Sequence, residues 1–323
     1  MAKKGKPRSG SMGVWPRKKA ARKIARVRSY PEVKEPKLMG FAGYKAGMTH
    51  LMVVEQNKNK PNAGQETFTP ATIIECPPLK IFAIRLYKDQ NVSKQLNFKS
   101  DKELSRALHV PKKFSTKEDL DKVDLEKYDD LRVLVYTQPK LTSIKKTPEL
   151  FELPIGGNIQ DKLNFVKENL QKEINITDVF EEGQLIDTHA VTKGKGFQGP
   201  IRRFGISMTA SKSEKARRNP GSLGGWKSQG HVMYRVPHAG QTGYHLRTQN
   251  NNLILKIGKD PKEVNPKGGF LRFGNVKSTY VIVKGSIQGP KKRLITLTPA
   301  LRPKKKIPHS SDSITHISTE SKQ

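Results

Sequence analysis

Three histidines, His231, His238 and His245, recur at a spacing of seven residues. On a continuous helix that spacing would put three imidazoles on one side as metal ligands. Pro237, Gly240 and Gly243 break any helix there, and no carboxylate stands between the histidines to orient a ligand. Contact with phosphate or 2′-hydroxyl groups, or plain solvent exposure, fits these side chains better than a metal. A second pattern, Gly194, Gly196 and Gly199 in GKGFQG, follows an expected strand and matches G-x-G-x-x-G, the dinucleotide-binding fingerprint. Its context fails: Pro200 and the pair Arg202–Arg203 stand where an amphipathic helix is required, and no acidic ribose ligand lies about 20 residues beyond Gly199. A third, GGWKS, has Pro220 where a phosphate loop needs a glycine five positions before Gly225. Carboxylates concentrate in DKELSR, TKEDLDK and VFEEG, where solvated faces with i,i+4 pairing explain them. No enzyme, metal, cofactor or small-molecule substrate is expected.

Beyond these residues, charge is the dominant property of the chain. The 323 residues carry 61 Lys and Arg against 29 Asp and Glu, a formal charge of +32 that calls for a polyanionic partner. Residues 1–30 hold eleven cations and no acid, and residues 190–250 hold another eleven with Glu214 as the single acid. Residues 101–189 carry 14 basic and 18 acidic side chains. Segregation of this kind suits a protein with an RNA-facing part and a solvent-facing part. Only 34% of residues are hydrophobic, so part of the chain is expected to lack a core of its own. Cys76 is the sole cysteine, which excludes an intramolecular disulfide framework and suits a reducing cytosol. No apolar run approaches the roughly 18 residues of a membrane span, and the basic N-terminus lacks the apolar core of a secretory signal.

Periodicity and punctuation supply the elements. Leu38–Glu55 reads as two strands joined through glycines, with further strands at Phe68–Cys76, Lys80–Tyr87, Leu131–Thr137 and Gln184–Thr192. The C-terminal third adds strands at Asn252–Ile257, Gly269–Phe273, Thr279–Gly285 and Lys292–Leu297. Helices are expected from Ser115 through Leu131, on Leu120, Val123, Leu125 and Leu131, and over Ile159–Lys172, on Leu163, Val166 and Leu170. The expected fold class is mainly β: a β-barrel core from residues 38–94 and 181–302, with an inserted α/β unit over 95–180 and a tail over 303–323 expected to be without structure.

Two segments fit no core. Residues 1–37 are basic and broken by Gly5, Pro7, Gly10, Gly13, Pro16, Pro31 and Pro36. They read as an arm that orders along phosphates, and about 35 extended residues reach roughly 115 Å. The other segment, residues 192–249, reads as a looped-out finger, because so long an irregular stretch inside a domain implies function. Its glycines allow close backbone approach, its Lys and Arg neutralise phosphate, and Phe197, Phe204, Trp226, Tyr234 and Tyr244 offer faces for bases or sugars. Trp226 lacks apolar neighbours at core spacing and is expected to be exposed or packed on RNA.

FAGYKAGMTH, DTHAVTKGKGFQGPIRRFG, GGW, HVMYRVPHAGQTGYHLRTQNN and GNVKSTYVIVKGSIQGPKKR together resemble the universal large-subunit ribosomal protein three family in its archaeal and eukaryotic-type form, from Gly13 to about Arg302. The resemblance implies a six-stranded barrel of the translation-protein type, with an arm and finger running inward through large-subunit rRNA. It implies a structural cytoplasmic ribosome component, present in one copy beside neighbouring large-subunit proteins, that supports early subunit assembly. Trp226, with Gly224 and Gly225, matches a finger tip near the peptidyl-transferase centre, and Arg202, Arg203, Lys212, Lys215, Arg217 and Arg218 match an rRNA-lining limb. The remaining expected rRNA contacts in the arm are Lys3, Lys4, Arg8, Trp15, Arg17, Lys18, Lys19, Arg22 and Lys23. Those in the finger are Lys193, Lys195, Phe197, Lys227, His231, Arg235, His238, His245 and Arg247. A basic DNA-packaging protein is the alternative, but it would favour tails or helical motifs over a glycine- and aromatic-rich finger.

Overall fold

A computed structural model describes residues 10–55, 59–214, 216–225, 230–303 and 313–321. The fold is mainly β. Its strands in chain order are β1 Phe41–Val54, β2 Glu66–Glu75, β3 Leu79–Lys88, β4 Asn91–Asn97, β5 Asp130–Thr137, β6 Leu150–Pro154, β7 Leu185–Val191, β8 Phe197–Gln198, β9 Gly240–Gln241, β10 Leu246–Gly258, β11 Tyr280–Lys284, β12 Leu294–Pro299 and β13 Ser313–Ile317. The α-helices are α1 Glu118–Asp121, α2 Ile159–Asn169 and α3 Pro200–Phe204. Contacts divide the chain into two compact units: residues 24–190 with 248–323, and residues 1–23 with 191–247.

The larger unit contains the main sheet, ordered β12-β7-β10-β11-β2-β1-β13, in which β12 also pairs with β1. Antiparallel β11 shows why these short β-branched runs form strands. Tyr280 and Ile282 enter one buried apolar cluster while Val281 and Val283 enter the other, the alternation of a pleated strand buried on both faces. Each such side chain, fully buried, stabilises the fold by about 1.5–3 kcal/mol. His189 fastens three strands at once, its Nδ1 2.9 Å from Thr248 Oγ1 and its Nε2 3.0 Å from Thr298 Oγ1. A second sheet, β4-β3-β5-β6, packs through Leu79, Ile81, Ile84, Val133 and Val135 into the same cluster as Leu163 and Val166 of α2. Strand β3, grouped in the sequence reading with the core strands, pairs here with β4 and β5.

Several expectations are corrected by backbone geometry. The stretch read as two strands over 38–55 holds one, β1: Gly43 and Gly47 are places of close approach instead of turn residues. A Cβ on Gly43 would lie 2.5 Å from Cys76 Sγ and Ile74 Cγ2, and one on Gly47 would lie 2.5 Å from Phe270 Cδ1. The helix expected over Ser115–Leu131 shrinks to α1, although Leu120 and Val123 are buried as the pattern required. Asp119, Asp121, Val123 and Asp124 are weak helix formers, and α1 ends on an acid where the dipole favours a cation. Gly269–Phe273 is a turn, not a strand, because Gly269, Arg272 and Gly274 adopt positive φ (77°, 64° and 99°) and Phe270 closes on Gly274 through paired 2.9 Å hydrogen bonds. Strands β4 and β6 went unread in the sequence. The tail is structured at β13, which pairs with the end of β1.

Gly43→Ala should lower stability by about 1–3 kcal/mol through overpacking against Cys76, Ile74 and the Glu75 carbonyl. Urea unfolding followed by far-ultraviolet circular dichroism should show a lower midpoint at unchanged slope. Gly13→Ala, where the added Cβ meets only Ser11 Oγ at 3.6 Å, should leave the midpoint in place.

Candidate nucleic-acid interface

Residues 1–23 and 191–247 hold 20 Lys and Arg against one acid, Glu214. With a single acid there, the side-chain hydrogen bonds of Arg17, Arg203 and His245 run to backbone carbonyls instead of carboxylates. The two finger limbs run antiparallel at their base. The Thr192 N–H donates to the His245 carbonyl (2.9 Å), Lys195 N–H to Thr242 (2.9 Å) and Thr242 N–H to Gly196 (2.9 Å), and β8 then pairs with β9. Gly243 has φ +70°, and a Cβ there would meet the Lys193 carbonyl at 2.0 Å, so the close approach of the limbs requires glycine. The GKGFQG stretch is thus a ribbon whose Lys195 amide is spent on the opposite limb.

Beyond it, the sequence reading found no helix, yet α3 forms one short turn. Pro200 occupies the first helical turn, where its missing N–H costs nothing, and Gly205 at φ +67° closes the end with its N–H on the Ile201 carbonyl (2.7 Å). Its product is a buried Phe204, 4% exposed, so this ring is not the base-facing surface the sequence suggested. Arg17 lies over its face with Cζ 4.3 Å from the centroid, and Arg203 is at 5.1 Å.

The arm is bound to the finger by a reciprocal exchange. Arg17 Nη1 donates to the Arg203 carbonyl (2.9 Å) and Arg203 Nη2 to the Arg17 carbonyl (3.3 Å). Arg203 also donates from Nε to the Gln241 carbonyl (3.1 Å) and from Nη1 to that of His238 (3.0 Å). His245, 8% exposed, donates from Nδ1 to the Lys18 carbonyl at 2.8 Å, and the Ala20 N–H reaches the Tyr244 carbonyl at 2.8 Å. Trp15 packs edge-on against Tyr234, 5.4 Å between centroids, with its indole N–H on the Ser11 carbonyl. Burial pulls the His245 pKa below its ordinary value, reinforced by the Arg247, Arg203 and Arg17 charges and opposed by the Lys18 carbonyl. Burial also lowers Arg203 and Arg247.

Most expected RNA contacts do face outward: Lys18, Lys19, Arg22, Lys23, Lys193, Lys195, Arg202, Lys212, Arg217, Arg218, His231 and Arg235 are exposed. Phe197 is 76% and Tyr234 64% exposed, rare values for aromatic rings. Trp15, Arg17, Arg203, His238 and Arg247 are half-buried, and Gly224 and Gly225 are exposed. Lys3, Lys4, Arg8, Lys215, Trp226 and Lys227 lie outside the described residues. Among the described residues no three His, Cys, Asp or Glu side chains gather as a metal site, and no helix is long and apolar enough to cross a membrane. Sequence reasoning missed the carbonyl acceptors of Arg203 entirely. The one available signal was Gly240, where a Cβ would sit 2.9 Å from the Arg203 Cζ.

Comparison with known proteins adds independent findings. The family profile described as ribosomal protein L3 matches residues 1–323. The large ribosomal subunit protein uL3 of Methanocaldococcus jannaschii is 48% identical over 333 residues, covering 98% of each chain. That of Methanococcus vannielii is 47% identical, over 99% of this chain and 98% of the relative, and that of Archaeoglobus fulgidus 42% identical over 98% of each.

The depressed His245 pKa carries a pH dependence of defined sign. With the folded value below the unfolded value of about 6.5, the unfolded state binds more protons as pH falls through that value. Arm docking is therefore fully stable above about pH 7 and weakens as pH falls through 6.5. Trp15 emission in a Trp226→Phe background should report this loss between pH 7.5 and 5.5. His245→Gln, which keeps an N–H donor without titrating, should flatten the response.

Proposed function

Because the chain belongs to the ribosomal protein L3 family, we propose that it is a non-catalytic structural constituent of the large subunit of the cytoplasmic ribosome, held there by large-subunit rRNA bound along its arm and finger. The observation that carries the rRNA contact is the concentration of 20 cations and one acid in a unit that also exposes the aromatic rings of Phe197 and Tyr234. Phosphate contacts release condensed counterions, lowering log affinity by about 0.7–0.9 per contact for each unit of log salt and carrying little sequence information. Exposed Phe197 and Tyr234 supply stacking faces, and the fit of a fixed ribbon to folded RNA supplies the discrimination.

The same reading extends to the other expectations. The sheet in which β12 returns to pair with β1 is read as a six-stranded translation-type barrel, and the second sheet with α2 as the inserted α/β unit. The arm and finger would enter rRNA early in subunit assembly, one copy per ribosome, with neighbouring large-subunit proteins on the remaining surface. The finger's tip, Gly224 to Trp226, would approach the peptidyl-transferase centre.

Two measurements test this reading. Large-subunit rRNA should outcompete duplex DNA at equal phosphate concentration and about 0.15 M salt, where the screening length is ~8 Å; displacement by duplex DNA would revive the DNA-packaging reading. Trp226→Ala should fold and enter the subunit while altering tRNA accommodation or peptidyl transfer. A variant that fails to fold would instead make Trp226 a core residue.

A further inference from the structure

We propose that Arg17, Arg203 and His245, grouped with the rRNA contacts on sequence alone, are positioning residues: they lock the arm onto the finger before RNA arrives and do not bind phosphate themselves. The inference rests on the rRNA-binding reading above and assigns these three side chains a different place in it.

The geometry of its bonds places Arg203 in the clasp. Three of its five guanidinium N–H groups, one on each nitrogen, already donate to carbonyls, those of Gln241 and His238 on the returning limb and that of Arg17 on the arm. A phosphate that took the fork face-on would compete with these half-buried acceptors, and each carbonyl left unpaired would cost about 1–3 kcal/mol. The side chain also lies against Phe204 and fills the space that glycine leaves at position 240. Arg17 returns the bond to the Arg203 carbonyl and covers the same ring. His245 is buried with its Nδ1 on the Lys18 carbonyl. The arm backbone is thus gripped at residues 17, 18 and 20 in succession, while Lys18, Lys19, Arg22 and Lys23 point into solvent. The clasp sets those four cations in fixed relation to Lys193 and Lys195 of the finger, so both segments meet the RNA backbone as one surface. A planar fork is needed for this task; a lysine ammonium at position 203 is a single point donor and cannot reach three carbonyls in three directions.

The test separates positioning from phosphate contact by a double-mutant cycle in the full-length chain, with a large-subunit rRNA transcript as the probe. One axis is Arg203→Lys, which conserves charge. The other neutralises the arm by changing Lys18, Lys19, Arg22 and Lys23 to Gln. If Arg203 acts through the arm, Arg203→Lys weakens binding about tenfold or more at 0.15 M salt and lowers the salt slope by more than one contact. In the neutralised-arm chain the same substitution changes affinity less than about twofold. A readout without RNA accompanies it: trypsin should cut after Lys18 and Lys19 several times faster in Arg203→Lys than in the parent.

Parent-like binding and trypsin resistance in Arg203→Lys would overturn the clasp. So would an Arg203→Ala loss that is equal in both backgrounds and matches one phosphate contact in slope. Global unfolding of Arg203→Lys by circular dichroism would overturn it too, because the clasp is confined to the arm and finger. Failure of the parent chain to bind rRNA would sink the proposed function instead, leaving the trypsin result to judge the clasp alone.

Discussion

Twenty cationic side chains share residues 1–23 and 191–247 with a single carboxylate, and this imbalance dictates how the unit can hold together. Two like charges 4 Å apart repel by about 1 kcal/mol in water and about 4 kcal/mol in the partly screened setting of a protein surface. Without acids to pair with, compactness has to come from neutral acceptors, aromatic faces and tight backbone approach. Each of these is present where the unit is most crowded. Arg17 and Arg203 trade carbonyls, both lie on the Phe204 ring, and Gly240 and Gly243 let the chain come close enough for the bonds to form. The other described cations, Arg247 apart, are exposed, which is also where a polyanion can reach them.

The other unit solves the same chemical problem with opposite means. Several of its described cations pair with carboxylates, as in Arg85 with Glu152 at 2.7 Å, Arg132 with Asp130 at 3.0 Å and Lys162 with Asp130 at 2.6 Å. Those pairs are half-exposed and each contributes little to stability. The larger unit still carries 41 Lys and Arg against 28 Asp and Glu over 243 residues, whereas the arm and finger carry 20 against one over 80, so the density of positive charge is highest on the arm and finger. Among the described residues, the buried cation Lys45 follows the finger's rule instead, donating to the Ile287 carbonyl and, at 3.3 Å, to that of Gly289.

How much of this was legible in the sequence depends on the range of the interaction that fixes each element. Strand β11 and helix α2 are specified by local alternation and by the spacing of Leu163 and Val166, and both were readable. Gly43 and Gly47 were misread because a glycine in a run of β-branched residues signals a turn or a close neighbour equally well, and the neighbours, Cys76 and Phe270, are distant in the chain. Strand β13 depends on an edge left open by β1, which no local pattern announces. In the finger the identity of the charged residues was readable and their division of labour was not. Arg202 and Arg203 are adjacent and chemically identical, yet one is exposed and the other turns inward onto three carbonyls. The difference arises from a five-residue helix whose rotation decides which guanidinium faces Phe204 and the arm.

That division bears on the free energy of binding. Ordering a residue costs about 1–2 kcal/mol of backbone entropy, so a wholly disordered arm and finger would lose most of the electrostatic gain to their own immobilisation. Side chains that hold the ribbon and the arm in register lower that cost, at the expense of cations no longer available for phosphate. The exchange favours positioning when the held segment carries more free charge than the holding residues remove. Lys18, Lys19, Arg22 and Lys23 on the arm side and Lys193, Lys195 and Arg202 on the finger side outnumber Arg17, Arg203 and His245. A basic segment of this kind therefore gains affinity from its least accessible arginines, provided their carbonyl partners lie on the strands whose cations stay exposed.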